Sequence, residues 1–243
     1  MNQYKYSEIF ANKQNILFVT AHPDDVIVYY AALIRMLVAD KKNIYVVTVT
    51  NGGRGGNGDL SVEEVGSLRI AEELSALKSL GVDPNNCTCL GYLDGDAEAS
   101  YKLIGEISKY IRMFRADIVC THEPTMIYTP TYDKSGFFVQ HRDHRKVAEA
   151  VVDACYPFSR GKSFFPEHLV EGIKPHEVTE ILMTDEISSN FELDYTEDVE
   201  QKIKALEIHA SQFPTRQDAE DLVAEVKSGD RYVEKYFYVK LLW

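Results

Sequence analysis

Short runs rich in Val and Ile alternate along this chain with segments of helical periodicity, and that alternation leaves few architectures open. Asn15–His22 (NILFVTAH), Asn43–Thr50 (NIYVVTVT), Cys87–Leu93 and Ala116–Thr121 (ADIVCT) read as buried strands. Between them, Val26–Ala39 reads as a core helix and Ser61–Leu80 as a helix closed by Gly81. Leu103, Ile104, Ile107, Tyr110, Ile111 and Phe114 give the three-and-four spacing of an amphipathic helix, and Val147, Ala148, Val151, Val152 and Cys155 mark another. Further on, Glu177–Thr184 and Phe191–Tyr195 are strand candidates, and Glu197–Ser211 is a helix that Thr196 would cap. Asp218–Lys227 reads as a last helix and Tyr232–Lys240 as an aromatic-rich strand. Repeated strand–helix order predicts a Rossmann-like, doubly wound α/β fold: a mostly parallel sheet with helices on both faces. No repeat or Pro/Gly-rich linker divides the chain, so one domain over residues 1–243 is expected.

Three segments stand outside that scaffold: Asn51–Asp59 (NGGRGGNGD), Leu90–Asp96 (LGYLDGD) and Glu123–Gln140. The last lacks periodicity, carries Tyr128, Tyr132, Phe137 and Phe138, and is longer than an ordinary connection, which suggests a functional loop. All three follow strands, so they gather at the carboxyl edge of the sheet, where open α/β sheets bind ligands.

Charge excludes some partners. The chain has 26 Lys+Arg against 38 Asp+Glu, a formal net charge of −12, and no long basic run. Nucleic acid and anionic membrane surfaces both draw clustered Lys and Arg, so neither is expected as a partner. The longest apolar stretch, Val26–Ala39, contains Arg35 and is too short to span a bilayer. Cys87, Cys89, Cys120 and Cys155 form no CxxC pair and read as reduced, buried thiols; with a polar amino end, a cytoplasmic location is expected.

Two clusters carry chemistry. Ala21-His22-Pro23-Asp24-Asp25 stands where the first strand hands over to its helix, with an imidazole and two carboxylates in four residues. A lone Asp there would cap the helix, but two beside a His after a buried strand suit a metal ion. His141-Arg142-Asp143-His144 opens a helix after the long loop and offers two imidazoles and a carboxylate. Together they supply two His and one Asp as ligands, leave an Asp and a His spare, and form an open three-ligand site of the kind catalytic zinc occupies.

AHPDD near the amino end and HRDH after the fourth strand resemble the PIG-L/LmbE-like family of zinc-dependent N-acetylglucosaminyl deacetylases. The resemblance continues through Arg69-Ile-Ala-Glu72 with Leu80-Gly81-Val82, through Leu90-Gly91-Tyr92 with Asp94-Gly95, and through Lys204-Ala205-Leu206 with His209-Ala210-Ser211-Gln212. It thus spans residues 15–240. Position by position, it implies His22, Asp25 and His144 as zinc ligands, Asp24 as general base, and His141, protonated, as the imidazole that steadies an oxyanion. It also implies Asp143 as the carboxylate that orients His141, and Arg69, with Asp94, at the sugar. Arg54, on the glycine-rich loop, could reach a substrate hydroxyl or phosphate.

The implied activity is removal of an acetyl group from an N-acetylglucosamine-type sugar or glycoconjugate. One zinc ion per chain is implied, with another divalent metal such as Fe2+ as the alternative, and homo-oligomerisation is left open. Val26 departs from the family, which commonly has Glu after HPDD, so substrate fit near that position is expected to differ.

Rival readings are weaker on spacing. Gly53-Arg54-Gly55-Gly56-Asn57-Gly58 matches GxGxxG, but it follows the second strand rather than the first, and its next strand-end acid is distant Asp94. His22-Pro23-Asp24 with His144 also spells the facial triad of iron oxygenases, which the alternating fold disfavours. His122, His168 and His176 read as structural or surface residues, His209 as packed or at the site's edge, and Trp243 as core or interface. An amidase acting on a bulkier N-acyl thiol-sugar conjugate is the near alternative. A non-catalytic sugar- or nucleotide-binding protein is the distant one.

Overall fold

The computed structural model of the protein describes residues 3–56, 58–130, 135–184 and 187–241. Tyr132, Asn57 and Trp243, singled out above, lie outside those residues. The strands are β1 (Asn15–Thr20), β2 (Asn43–Thr50), β3 (Cys87–Tyr92), β4 (Ile118–Thr121), β5 (Tyr128–Pro130), β6 (Phe137–Val139), β7 (Glu180–Thr184), β8 (Phe191–Asp194), β9 (Lys227–Ser228) and β10 (Arg231–Lys240). The α-helices are α1 (Tyr6–Phe10), α2 (Asp25–Ala39), α3 (Val62–Ser79), α4 (Tyr101–Phe114), α5 (Arg142–Asp153), α6 (Glu167–Val170), α7 (Val199–Glu207) and α8 (Arg216–Glu225).

The main sheet has the order β3-β2-β1-β4-β7-β10-β8, with β9 hydrogen-bonded to β10. The first five are parallel to one another, and β10 runs antiparallel to both neighbours. This is the mostly parallel α/β sheet that the strand–helix alternation predicts. β1 shows why the pattern reads as buried. Ile16 and Phe18 join the core on one face, packed with α2 residues, whereas Leu17 and Val19 join the core on the other, with residues of α4 and α5. A strand covered on both faces cannot alternate with polar residues, so it reads as a continuous apolar run.

The order reverses at β1, which pairs with β2 on one side and β4 on the other. Chain leaving the carboxyl ends of β1 and β4 therefore diverges around a crevice, the topological switch point at which such sheets bind ligands.

Local devices set the helix ends. Ser61 and Glu64 form a capping box on α3, Thr215 and Asp218 one on α8, and Ser100 accepts from Leu103 N at the start of α4. Thr196 does not cap α7. Its hydroxyl is tied to Asp194 Oδ1 (2.7 Å) and to Tyr232 N (3.0 Å), and a short 3-10 turn over Thr196–Asp198 precedes the helix. The long segment Glu123–Gln140 is less irregular than expected, because β5 and β6 pair as a small antiparallel hairpin.

α2 is held in its middle by β10. Glu234 Oε1 accepts from Ala32 N and Oε2 from Leu33 N, each at 3.1 Å, and Tyr236 Oη donates to Tyr29 O at 2.9 Å. Lys202 Nζ supplies the counter-charge, 2.8 Å from Glu234 Oε1, with both side chains almost wholly buried. Among the described residues, no helix is long and apolar enough to cross a membrane.

Candidate metal centre and active site

The AHPDD segment is shaped by its backbone. Ala21 O, just past β1, accepts from both Thr50 N (2.8 Å) and Thr50 Oγ1 (2.9 Å), which fixes the strand end against β2. The N–H groups of Asp24 and Asp25 both turn back to His22 O, and Asp25 Oδ2 accepts from His22 N at 2.7 Å. Asp24 occupies the N-cap position of α2, but its side chain makes no capping hydrogen bond. It is paired with Arg69 instead, Oδ1 to Nη2 2.9 Å. Val26, where the family commonly has Glu, is fully buried in the apolar core.

The HRDH segment opens α5. His141 is its N-cap, with Nδ1 accepting from Asp143 N at 3.2 Å, and His144 lies in the first turn. The two segments meet at the carboxyl edge of the sheet, where β1 and β4 lie side by side.

Three donors then converge. His22 Nδ1 lies 3.2 Å from His144 Nε2 and 3.3 Å from Asp25 Oδ2, and Asp25 Oδ1 lies 3.1 Å from His144 Nε2. Tetrahedral zinc ligands about 2.0–2.1 Å from the ion stand about 3.3 Å apart, so this donor set has the spacing such a cation requires. The far side of His22 agrees. Its Nε2 faces Asp94 Oδ1 at 3.4 Å and Asp143 Oδ2 at 3.5 Å. A carboxylate behind a metal-ligating imidazole keeps the proton on the outer nitrogen and the lone pair on the inner one. His22, Asp25 and His144 thus fit a divalent cation, with nitrogen and oxygen donors that suit zinc.

Electrostatics point the same way. Burial opposes charge on His22, but Asp25, then Asp143 and Asp94, push its pKa up to about 12. Burial alone would raise the Asp25 carboxyl, yet the imidazoles of His144, His122 and His22 hold it well below the usual range. The carboxylates around His22 thus favour a positive charge at this place. The Asp24 carboxyl is raised, by burial and then by Asp25, against the pull of Arg69. Burial lowers His144 and His141, and on His141 the neighbouring His22 and His144 add to the effect.

The remaining expected residues are placed as follows. Asp143 does not turn its carboxylate to His141. Its Oδ2 accepts from Gly95 N at 2.6 Å and faces His22, and only its backbone N–H meets the His141 ring. With Nδ1 accepting that hydrogen bond, a neutral His141 ring carries its proton on Nε2, and burial with the nearby His22 and His144 lowers its pKa. Arg69 is buried, and besides Asp24 it donates to Gly52 O (Nη1, 2.8 Å). Arg54 Nη1 reaches Asp94 O (2.7 Å) and Asp96 Oδ1 (3.1 Å), tying two loops of the carboxyl edge together.

The glycine-rich loop has a packing role. A Cβ on Gly52 or Gly55 would lie 2.6 Å from Arg69 Nη1, and Gly52 has φ +63°. The loop can lie on the guanidinium only as glycine. It forms a 3-10 turn over Gly53–Gly55 rather than a strand-to-helix phosphate turn.

His122, expected to be structural or at the surface, is buried and joins Asp25 and His144 in a group of metal-ligating type. It follows β4 directly and is fully buried, and its ring stacks on His144 with centroids 4.1 Å and planes 4° apart. Its Nε2 accepts from Ala21 N at 3.1 Å and lies 3.3 Å from Asp25 Oδ2. Its position after the strand that flanks β1 at the switch point is the signal that could have found it. His168 and His176 are structural, on Arg112 Nη1 (2.9 Å) and Ala116 O (2.7 Å) respectively. His209 is fully buried behind Arg69, its pKa lowered to about 4 by burial. Near it, Glu72 accepts from Ser211 N (3.0 Å) and Ser211 Oγ (2.5 Å), joining α3 to the segment after α7.

Residues 17–155 match the PIG-L family, GlcNAc-PI de-N-acetylase. A diacetylchitobiose deacetylase from Thermococcus kodakarensis is 27% identical over 215 residues, covering 87% of this chain and 74% of that protein. The structure of N,N'-diacetylchitobiose deacetylase from Pyrococcus horikoshii, complexed with its inhibitor MPG, has a TM-score of 0.85 at 25% identity, over 96% of this chain and 86% of that one. A 4-carboxy-2-hydroxymuconate hydratase from Pseudomonas putida has a TM-score of 0.72 at 17% identity, over 93% of this chain and 96% of that one, a likeness of fold. The family match covers more than half the chain and includes both the AHPDD and HRDH segments. This chain belongs to the PIG-L family of de-N-acetylases.

Proposed function

We propose that this protein is a zinc-dependent deacetylase that hydrolyses the acetamide of an N-acetylglucosamine-type sugar or glycoconjugate. The observation that carries the reading is the convergence of His22 Nδ1, Asp25 Oδ1/Oδ2 and His144 Nε2 within 3.1–3.3 Å, with Asp24 adjoining. The relatives named for diacetylchitobiose deacetylation support the substrate class.

A zinc ion held by these three residues would supply Lewis acidity, polarising the acetamide carbonyl and lowering the pKa of water towards about 7. Asp24 takes the proton of the attacking water; its raised pKa suits it to hold that proton and pass it to the departing amine. Arg69 keeps the Asp24 carboxylate in one orientation. His141, with its proton on Nε2, donates to the developing oxyanion, a contribution of about 3–4 kcal/mol for a well-placed donor. Asp143 and Asp94 hold His22 in its ligand tautomer. Acetate and a free amino sugar are the products.

The test is acetate release from N-acetylated sugars by zinc-loaded protein, with Asp24→Asn alongside. The variant should keep about one metal per chain and lose 100-fold or more in kcat, on the order expected for loss of a general base. Near-full activity in Asp24→Asn would sink this mechanism.

A further inference from the structure

An imidazole that ligates a metal through one nitrogen normally donates the other N–H to a carboxylate, a carbonyl or water, and that bond sets the plane of the ring. His22 has such a backing, with Asp94 and Asp143 facing its Nε2. His144 differs. Its Nε2 is turned to Asp25 and His22, and its buried Nδ1 has no hydrogen-bond partner among the described residues. The torsion that turns such a ring about its Cβ–Cγ bond is soft, so its plane must be fixed in another way.

His122 lies flat against it, with ring centroids 4.1 Å and planes 4° apart. Tyr29 meets both rings edge-on, at centroid distances of 5.6 and 6.1 Å. His122 is itself held, because it is fully buried and its Nε2 accepts from Ala21 N at 3.1 Å. Ala21 immediately precedes His22, so this one side chain touches the HRDH segment through a stack and the AHPDD segment through a hydrogen bond. Asp25, His122 and His144 also present donor atoms within 4.8 Å of one another. The stack argues against His122 and His144 sharing an ion. A zinc ion sits about 2.0–2.1 Å from a ligating nitrogen, along the lone pair in the ring plane, and two parallel planes share no such place.

We propose that His122 is a positioning residue of the metal centre: its stacked ring takes the place of the hydrogen bond that His144 Nδ1 lacks, and so fixes the plane in which Nε2 meets the cation. This inference rests on the reading of His22, Asp25 and His144 as the metal ligands. Its two contacts make separable demands. The stack on His144 needs a flat ring, whereas the bond to Ala21 N needs only an acceptor. His122→Phe keeps the first and loses the second. His122→Gln does the reverse, and His122→Leu, an apolar side chain suited to a buried position, loses both.

The test measures zinc affinity on full-length, metal-free protein by competition with a chelator. Cobalt(II) serves as a second probe, because its visible absorption reports the arrangement of the donors, and urea unfolding of the metal-free protein gives the stability of each variant. His122→Gln and His122→Leu should each bind zinc about 10–100-fold more weakly than wild type, the usual effect of losing a group that orients a ligand, and should alter the cobalt spectrum. His122→Phe should restore most of the affinity and the wild-type spectrum. A residue that only packs would lower the unfolding midpoint and leave zinc affinity unmoved. Equal zinc affinity in wild type and whichever of the ringless variants folds, or a Phe variant that binds no better than they do, overturns the proposal. Wild-type protein that binds no zinc overturns the metal centre itself.

Discussion

Arg69 Nη2 lies 2.9 Å from Asp24 Oδ1, so the side chain expected to meet the sugar also holds the proposed base. Its other terminal nitrogen, Nη1, donates to Gly52 O at 2.8 Å. Arg69→Met should therefore act on turnover. Freed of the guanidinium, the Asp24 carboxyl rises further and loses its fixed orientation. We expect kcat to fall about 100-fold, the scale of a mispositioned general base, with KM nearly unchanged. Steady-state kinetics on one N-acetyl sugar decide it; a large rise in KM at constant kcat would return Arg69 to the sugar.

His144→Ala removes one of three converging donors and should abolish metal binding. In wild-type protein, zinc at a thousand times its dissociation constant should raise the unfolding free energy by about 4 kcal/mol, because the cation binds the folded chain alone. Thermal unfolding with and without zinc checks this, together with metal content per chain. A zinc-dependent shift that survived in His144→Ala would place the cation elsewhere in the cluster.

Glu73 offers a test by pH. It is buried and accepts from Thr48 Oγ1 at 2.7 Å, and burial is the chief cause of its pKa being pushed up to about 8 from an ordinary 4.5. The folded protein then keeps a proton that the unfolded chain releases near 4.5. The stability this proton confers is complete below pH 4.5 and is lost as pH rises through about 8. Glu73→Gln retains an acceptor for Thr48 and has no proton to lose. Urea unfolding at pH 5 and pH 8 should show a smaller decline in the variant than in the wild type, at up to about 1.4 kcal/mol per pH unit of the window. Parallel pH profiles would contradict the assignment.

The Lys202–Glu234 pair should be costly to break from one side. Lys202→Met leaves a buried carboxylate without its counter-charge, a loss of about 3–5 kcal/mol. Adding Glu234→Gln removes the orphaned charge and should recover part of that stability. Denaturant midpoints of the two variants test the ordering, and a double variant no more stable than Lys202→Met would refute it.

The sheet was legible in the sequence because β1, β2 and β4 are apolar on both faces and their connections carry helical spacing. α1 was not, since five residues are too few to show a period, and the three-residue strands of the hairpin leave no pattern of two. The metal-ligating candidates were legible as clusters because each packs His and Asp into four residues. His122 stands alone in the chain, and only the fold brings it onto His144. The same holds for Asp143: sequence places its carboxylate beside His141, but the turn at Gly95 draws it towards His22. Contacts between side chains of different loops carry no signature in spacing.

Glu234 grips α2 from 202 residues away in the chain, and His22 meets His144 across 122. In a chain synthesised from its amino end, AHPDD emerges long before either partner exists. The helix that starts with Asp25 gains its mid-helix clamp only when β10 joins the sheet. A half-made chain that ends before His144 would have no finished donor set with which to capture a stray ion.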